Sequence, residues 1–146
     1  MGMNKWRILL FPFSIIYALI TLIRNKLFDW RLLPIYQIQI PSIGIGNLSV
    51  GGTGKTVAID FLITNFKKKF EVAVLSRGYG RNTKGVIIAN QTSSSASIGD
   101  EPFQFFLKHK EIKIAVAEKR LRGFKKLIEI NPQLKLLLLD DVIQHR

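Results

Sequence analysis

The sequence predicts an α/β fold: a mostly parallel sheet flanked by helices and preceded by a hydrophobic N-terminal helix. Three observations carry that expectation. From residue 37 onward, short β-type runs alternate with segments of helical period, the pattern of strand–helix units that builds a parallel sheet. A glycine-rich loop, Ser49-Val50-Gly51-Gly52-Thr53-Gly54-Lys55-Thr56, falls between one such run and one such helix. Ahead of both, residues 8–23 are almost purely apolar, bracketed by Lys5 and Arg7 on one side and Arg24 and Lys26 on the other.

The apolar segment is short for a membrane span, which needs roughly 20 residues, and Pro12 at a helix start shortens it further. Ser14, Tyr17 and Thr21 recur at helical spacing, so a helix here carries a thin polar stripe on a broad apolar body. Trp6 and Trp30 flank it, and aromatic rings with basic neighbours suit a helix lying at a lipid headgroup surface. A helix buried in the protein core is the alternative. No small-residue cleavage site follows, against a signal peptide, and Met1-Gly2 without Ser or Thr at residue 6 is not a myristoylation signal. Residues 1–33 are therefore expected to form a membrane-associated helix and residues 34–146 a nucleotide-binding domain.

Composition narrows the partners. With 47% hydrophobic residues the 146-residue chain can build a core, and the lack of cysteine excludes disulfides and thiolate metal sites, which fits the cytoplasm. Twenty-two Lys and Arg against 10 Asp and Glu, a formal charge of +12, call for an anionic partner. Without any RRM, KH or zinc-finger pattern, nucleic acid ranks below a membrane surface and a phosphorylated ligand. The sequence points to no protein partner.

In chain order, residues 37–40 alternate, Pro41 interrupts, and residues 42–46 run as a strand into the glycine-rich loop. In that loop Gly51, Gly52, Thr53 and Gly54 let backbone N–H groups surround phosphate oxygens, Lys55 supplies a point charge, and the Thr56 hydroxyl can ligate Mg²⁺. Ser49 stands where the full G-x-x-x-x-G-K-[ST] pattern has its first glycine. Residues 55–69 follow with Val57, Ile59, Leu62, Ile63 and Phe66 at near-helical spacing, aiming a positive helix end at the anion.

Residues 71–75 form a strand ending in Ser76-Arg77-Gly78-Tyr79-Gly80-Arg81, which reads either as a second phosphate-facing loop or as a solvated turn. A strand is expected over 84–89 and a polar Ser-rich loop over 90–97. Asp100 and Glu101 open a helix over 99–110, where acids complement the helix dipole whether or not they do chemistry. A strand over 112–117 and a helix over 118–130 come next, with Lys119, Arg120, Arg122, Lys125 and Lys126 as a mostly solvated face. Residues 134–139 are a strand closing on Asp140-Asp141, and a buried strand ending on aspartate delivers a carboxylate beside a nucleotide-bound Mg²⁺.

Four blocks in order resemble the N-terminal part of the tetraacyldisaccharide 4'-kinase family, the lipid A 4'-kinases of Gram-negative bacteria. They are residues 46–56, Ser76 to Arg81, Gly99-Asp100-Glu101-Pro102, and Asp140-Asp141 with Gln144-His145-Arg146. The resemblance implies a fold similar to P-loop NTPases, a place on the cytoplasmic face of the inner membrane, and transfer of the ATP γ-phosphate to the 4'-hydroxyl of a lipid disaccharide. By position it implies that Lys55 holds the β/γ-phosphates, that Thr56 and Asp140 position Mg²⁺, that Asp141 acts beside them, and that Asp100 activates the acceptor hydroxyl. Arg77, Arg120 and His145 become candidate contacts to nucleotide or lipid phosphate.

The family's partner histidine for Asp100 lies well downstream, and neither His109 nor His145 matches it. Val142 and Ile143 stand where the family usually has small and aromatic residues, and Val57 replaces a common proline. Because family members continue past Gln-His-Arg, the chain is expected to be an incomplete domain that binds nucleotide with weak or absent turnover. A membrane-associated partition-type or switch ATPase is the alternative, although Val50 occupies the place of the second lysine of that class. A nucleotide-binding module without activity is the third reading.

Overall fold

Leu136–Asp140 reads Leu-Leu-Leu-Leu-Asp, and every residue of the run is buried, as a parallel strand covered on both faces requires. The computed structural model, which describes residues 11–30, 32, 36–46 and 54–142, places this strand inside a five-stranded sheet. The chain divides into two compact units after Gln37.

The first unit contains helix α1 (Phe11–Asp29), which runs six residues past the end of the apolar stretch at residue 23. Lys26 in its last turn complements the helix dipole and lies 5.9 Å from the Trp30 ring centroid. Thr21 returns its hydroxyl to the Tyr17 carbonyl at 2.8 Å, so this part of the polar stripe is satisfied within the helix. Phe13, Ile16, Leu19, Ile20 and Ile23 are each more than half exposed. Among the described residues no helix is long and apolar enough to cross a membrane.

The second unit runs β1 (Ser42–Ile45), α2 (Lys55–Phe66), β2 (Val72–Ser76), β3 (Ile87–Ile88), α3 (Ser95–Ile98), α4 (Asp100–Lys108), β4 (Lys113–Val116), α5 (Arg120–Ile130) and β5 (Leu136–Asp140). The strand order is β1-β5-β2-β4-β3, parallel except for β3 against β4. The chain steps outward from β1 to β2 to β4, then reverses and inserts β5 between β1 and β2. With crossovers of one hand, that reversal moves the connecting helix to the other face. Ile59 and Ile63 of α2 and Phe105 of α4 accordingly pack on Val72, Val74, Ile114 and Leu138. Leu127 of α5 packs on Ala73, Leu75, Ala115 and Leu137 of the opposite face. Replacing Leu138 by Ala at the middle of β5 should cost about 2–5 kcal/mol, read as a lower denaturation midpoint with unchanged slope.

Three expectations gave way to local chemistry. Residues 37–40 form no strand; Ile38 and Ile40 pack half-buried against the α5-side core, and pairing starts only after Pro41, whose carbonyl accepts from Leu137 N at 3.0 Å. The strand over 84–89 shrinks to Ile87–Ile88, because the Gly85 N–H and carbonyl are held by Glu118 Oε2 (3.1 Å) and Arg81 Nη2 (2.7 Å) instead of a ladder. The Ser-rich stretch turns helical at α3, where Ser94 and Ser97 form a capping box.

Candidate active site

In open α/β sheets, ligands bind beyond the carboxyl ends of the strands where the winding reverses. Here β2 ends on Ser76 and β5 on Asp140, next to the start of α2, and an open cleft of ≈ 280 Å³ lies among them. Lys55, Ser76, Tyr79, Asp100, Glu101, Asp140 and Asp141 line it. The side chains come from four separate stretches of sequence.

Asp140 is 1% exposed. Its Oδ2 accepts from Ser76 Oγ at 3.0 Å, while its Oδ1 is buried with no partner. Burial dominates its electrostatics and pushes the carboxyl up to about 6. Asp141 takes a left-handed backbone conformation, φ 56°, which aspartate tolerates better than most residues. Arg120 locks that turn: its Nη2 donates to the Asp140 carbonyl at 3.1 Å and to the Asp141 carbonyl. Burial, followed by the nearby Arg77 charge, lowers the Arg120 guanidinium below its ordinary value. The turn sends the Asp141 carboxylate to Lys55 Nζ, and this hydrogen bond holds the ammonium above its usual value despite partial burial. Thr56 Oγ1 donates to Glu101 Oε1 at 2.9 Å.

The position of Asp100 depends on two glycines. Gly99, φ 93°, leads into α4 so close to the preceding turn that an added Cβ would lie 3.0 Å from the Tyr79 carbonyl oxygen and 3.2 Å from Gly78 Cα. Gly78, φ 70°, has the Ile98 carbonyl oxygen 2.9 Å from where its own Cβ would be. Side chains at either position would push the turn and the helix apart. Thr83 Oγ1 to Ser97 O (2.6 Å) and Asn82 N to Ala96 O (2.8 Å) fasten the same two segments further along.

Of the residues expected from sequence, Lys55, Thr56, Asp100, Asp140 and Asp141 gather at this place. Gly54 stands immediately before α2 as its N-cap. Gly51, Gly52, Thr53 and His145 lie outside the described residues. Arg77 sits near Arg120, and Arg120 is engaged by backbone carbonyls, so it is not part of a solvated face. His109 is at the other end of α4, away from Asp100. Ser76, Tyr79 and Glu101 stood inside the quoted blocks with no role of their own, and the structure puts all three in the lining of the cleft. A hydroxyl closing an otherwise apolar strand was the available signal for Ser76, and the first-turn position beside Asp100 was the signal for Glu101.

The donor set suits a small, hard cation. It offers a buried, unpartnered Asp140 oxygen, the Thr56 hydroxyl and the Glu101 carboxylate, all oxygen ligands. Among the described residues no three acidic or histidine side chains form a metal-holding group by themselves. That fits an ion which takes its remaining ligands from phosphate and water.

A strand-ending aspartate pair facing a Gly-Lys-Thr helix start, at the switch point of a parallel sheet, defines an α/β protein of the P-loop kinase class. Residues 6–146 match the family model for tetraacyldisaccharide-1-P 4'-kinase. The chain belongs to that family. It is 49% identical over 144 residues to the tetraacyldisaccharide 4'-kinase of Flavobacterium psychrophilum, covering 99% of this chain and 42% of that protein. Against the enzyme of the same name from Bacteroides thetaiotaomicron it is 46% identical, covering 98% of this chain and 37% of that protein. A crystal structure of LpxK from Aquifex aeolicus in complex with ATP superposes with a TM-score of 0.77 at 37% identity, covering 97% of this chain and 45% of that one. The chain thus spans less than half the length of these relatives.

Proposed function

We propose that the protein carrying this chain transfers the γ-phosphate of ATP to the 4'-hydroxyl of a tetraacyldisaccharide 1-phosphate in lipid A biosynthesis. The observation that carries this is the meeting of Lys55, Asp100, Asp140 and Asp141 around one cleft, with Thr56 bonded to Glu101 of its lining, in a chain of this family. Gly51, Gly52, Thr53 and Gly54 cradle the phosphates with their N–H groups, and Lys55 places its charge on the β/γ side. Asp141 holds Lys55 in place until the nucleotide arrives. Thr56 and Asp140 are the protein ligands for Mg²⁺, which neutralises charge on the β- and γ-phosphates when bound. Asp100, exposed at the cleft, accepts the proton of the lipid hydroxyl as it attacks. Arg77, Arg120 and His145 are the candidate contacts to phosphate of the nucleotide or lipid, and Arg77 lies near Arg120. With labelled ATP and the lipid disaccharide, the full-length protein should put label on lipid; label released only as free phosphate would favour a switch ATPase.

The lipid substrate stays in a bilayer, so the enzyme works at the surface. The uncovered apolar side chains of α1, with Lys26 and Trp30 at its end, support a helix lying in the cytoplasmic face of the inner membrane as a peripheral or monotopic anchor. The double substitution Ile16→Asp and Ile20→Asp should reduce co-sedimentation with anionic vesicles by about tenfold or more, since each removes an exposed apolar side chain that the lipid would cover and adds a repelled charge. Nucleotide binding measured on the same protein should not change.

A further inference from the structure

A polar cluster at the far end of α4 takes no part in the cleft. His109, 2% exposed, closes that helix, with Nε2 2.7 Å from Asp60 Oδ1 and Nδ1 3.0 Å from Lys67 Nζ. An ammonium can only donate, so Nδ1 accepts and the ring proton sits on Nε2, which donates to Asp60. Lys108 Nζ donates to the second Asp60 oxygen at 2.5 Å, and Lys67 also pairs with Glu111. Burial alone would raise the Asp60 carboxyl, but the hydrogen bonds from Lys108 and His109 outweigh it and hold it below its usual value.

The cluster joins the two helices that carry opposite halves of the site. α2 begins with Lys55 and Thr56, and α4 begins with Asp100 and Glu101. Near the cleft their polar tie is the hydrogen bond from Thr56 to Glu101. The ties of Asp60 and Lys67 to residues 108–111 are made farther along both helices, away from the cleft. Between the two ends an open cleft of ≈ 190 Å³, lined by Val57, Gln104 and Phe105 among others, keeps apolar contact from fixing the spacing alone.

We propose that Asp60, His109 and Lys67 form a strut that sets α4, and with it Asp100, against the phosphate-holding start of α2. They are positioning residues and touch no substrate. The inference rests on the reading of Asp100 given above. Misplacing a reacting group by about an ångström can cost on the order of 10²-fold in rate, so the strut acts on kcat and not on nucleotide affinity.

The test compares His109→Ala with His109→Gln in the full-length protein, because a glutamine amide can donate to Asp60 and accept from Lys67. Rates are expressed per nucleotide-binding site, so that loss of folded protein does not count. His109→Ala should lower kcat about tenfold or more, with KM for ATP and the Kd of a fluorescent ATP analogue within about twofold, and His109→Gln should recover at least about half of the rate. Unchanged kcat in His109→Ala overturns the proposal, and so does an equal loss in both variants. Should His109→Ala not fold, Asp60→Ala against Asp60→Asn makes the same comparison from the other side of the pair. Asp100→Asn in the same assay separates the two claims: an unaltered rate there refutes the role of Asp100, whereas a low rate there with normal His109→Ala refutes the strut alone.

Discussion

Replacing Asp100 by asparagine in the full-length protein is expected to lower phosphoryl transfer to lipid by about 10²–10⁴-fold while ATP affinity stays within about twofold. Asparagine keeps the shape of the first turn of α4 and loses only the charge and the proton-accepting oxygen. The dipole contribution it forfeits is about 0.3–1 kcal/mol, too small to melt a helix anchored by buried Pro102 and Phe105. Single-turnover transfer of labelled phosphate, set beside a nucleotide titration, separates chemistry from binding. A loss under about fivefold would show that the hydroxyl finds its base elsewhere.

Asp140→Asn should have effects of opposite sign on folding and on function. In metal-free protein the Asp140 carboxyl titrates at about 6, above the ordinary 3.8, because burial disfavours its charged form. A raised value means that the contribution to stability is complete below the unfolded value and is lost as pH rises through the folded one. In EDTA, the wild type should therefore fall behind the asparagine variant between about pH 4 and pH 7, by on the order of 2–3 kcal/mol at the upper end. Thermal melts across that range would show it, and a gap that did not widen with pH would contradict it. With Mg²⁺ and ATP the order reverses: the wild type gains stability by mass action, and the variant, without the oxygen that the buried site leaves unpaired, gains little.

Much of the second unit was legible because each signal was local. The all-apolar run of β5, the helical spacing of Ile59 and Ile63, and the Asp-Asp ending need only near neighbours to be read. Residues 84–89 were harder, since the side chains that capture the Gly85 backbone come from Arg81 and from Glu118, a residue far away in sequence. Arg120 misled for the same reason: in sequence it belongs to a cationic run, and only the fold brings it to the two carbonyls it fastens. Lys55, Asp100, Asp140 and Asp141, which the fold gathers at the cleft, were named from spacing and family likeness. Glu101 and Ser76 stayed hidden because their importance lies in pairing with Thr56 and Asp140, and pairing across strands is not written in either segment alone.

The backbone contact of Gly78 with Gly99 leaves no room for a side chain at one wall of the cleft. An added Cβ at Gly99 would lie 3.0 Å from the Tyr79 carbonyl oxygen, and Asp100 is the next residue, so the room left by two missing side chains sets where that carboxylate stands. Tyr79, 91% exposed on the same turn, lines the cleft with it.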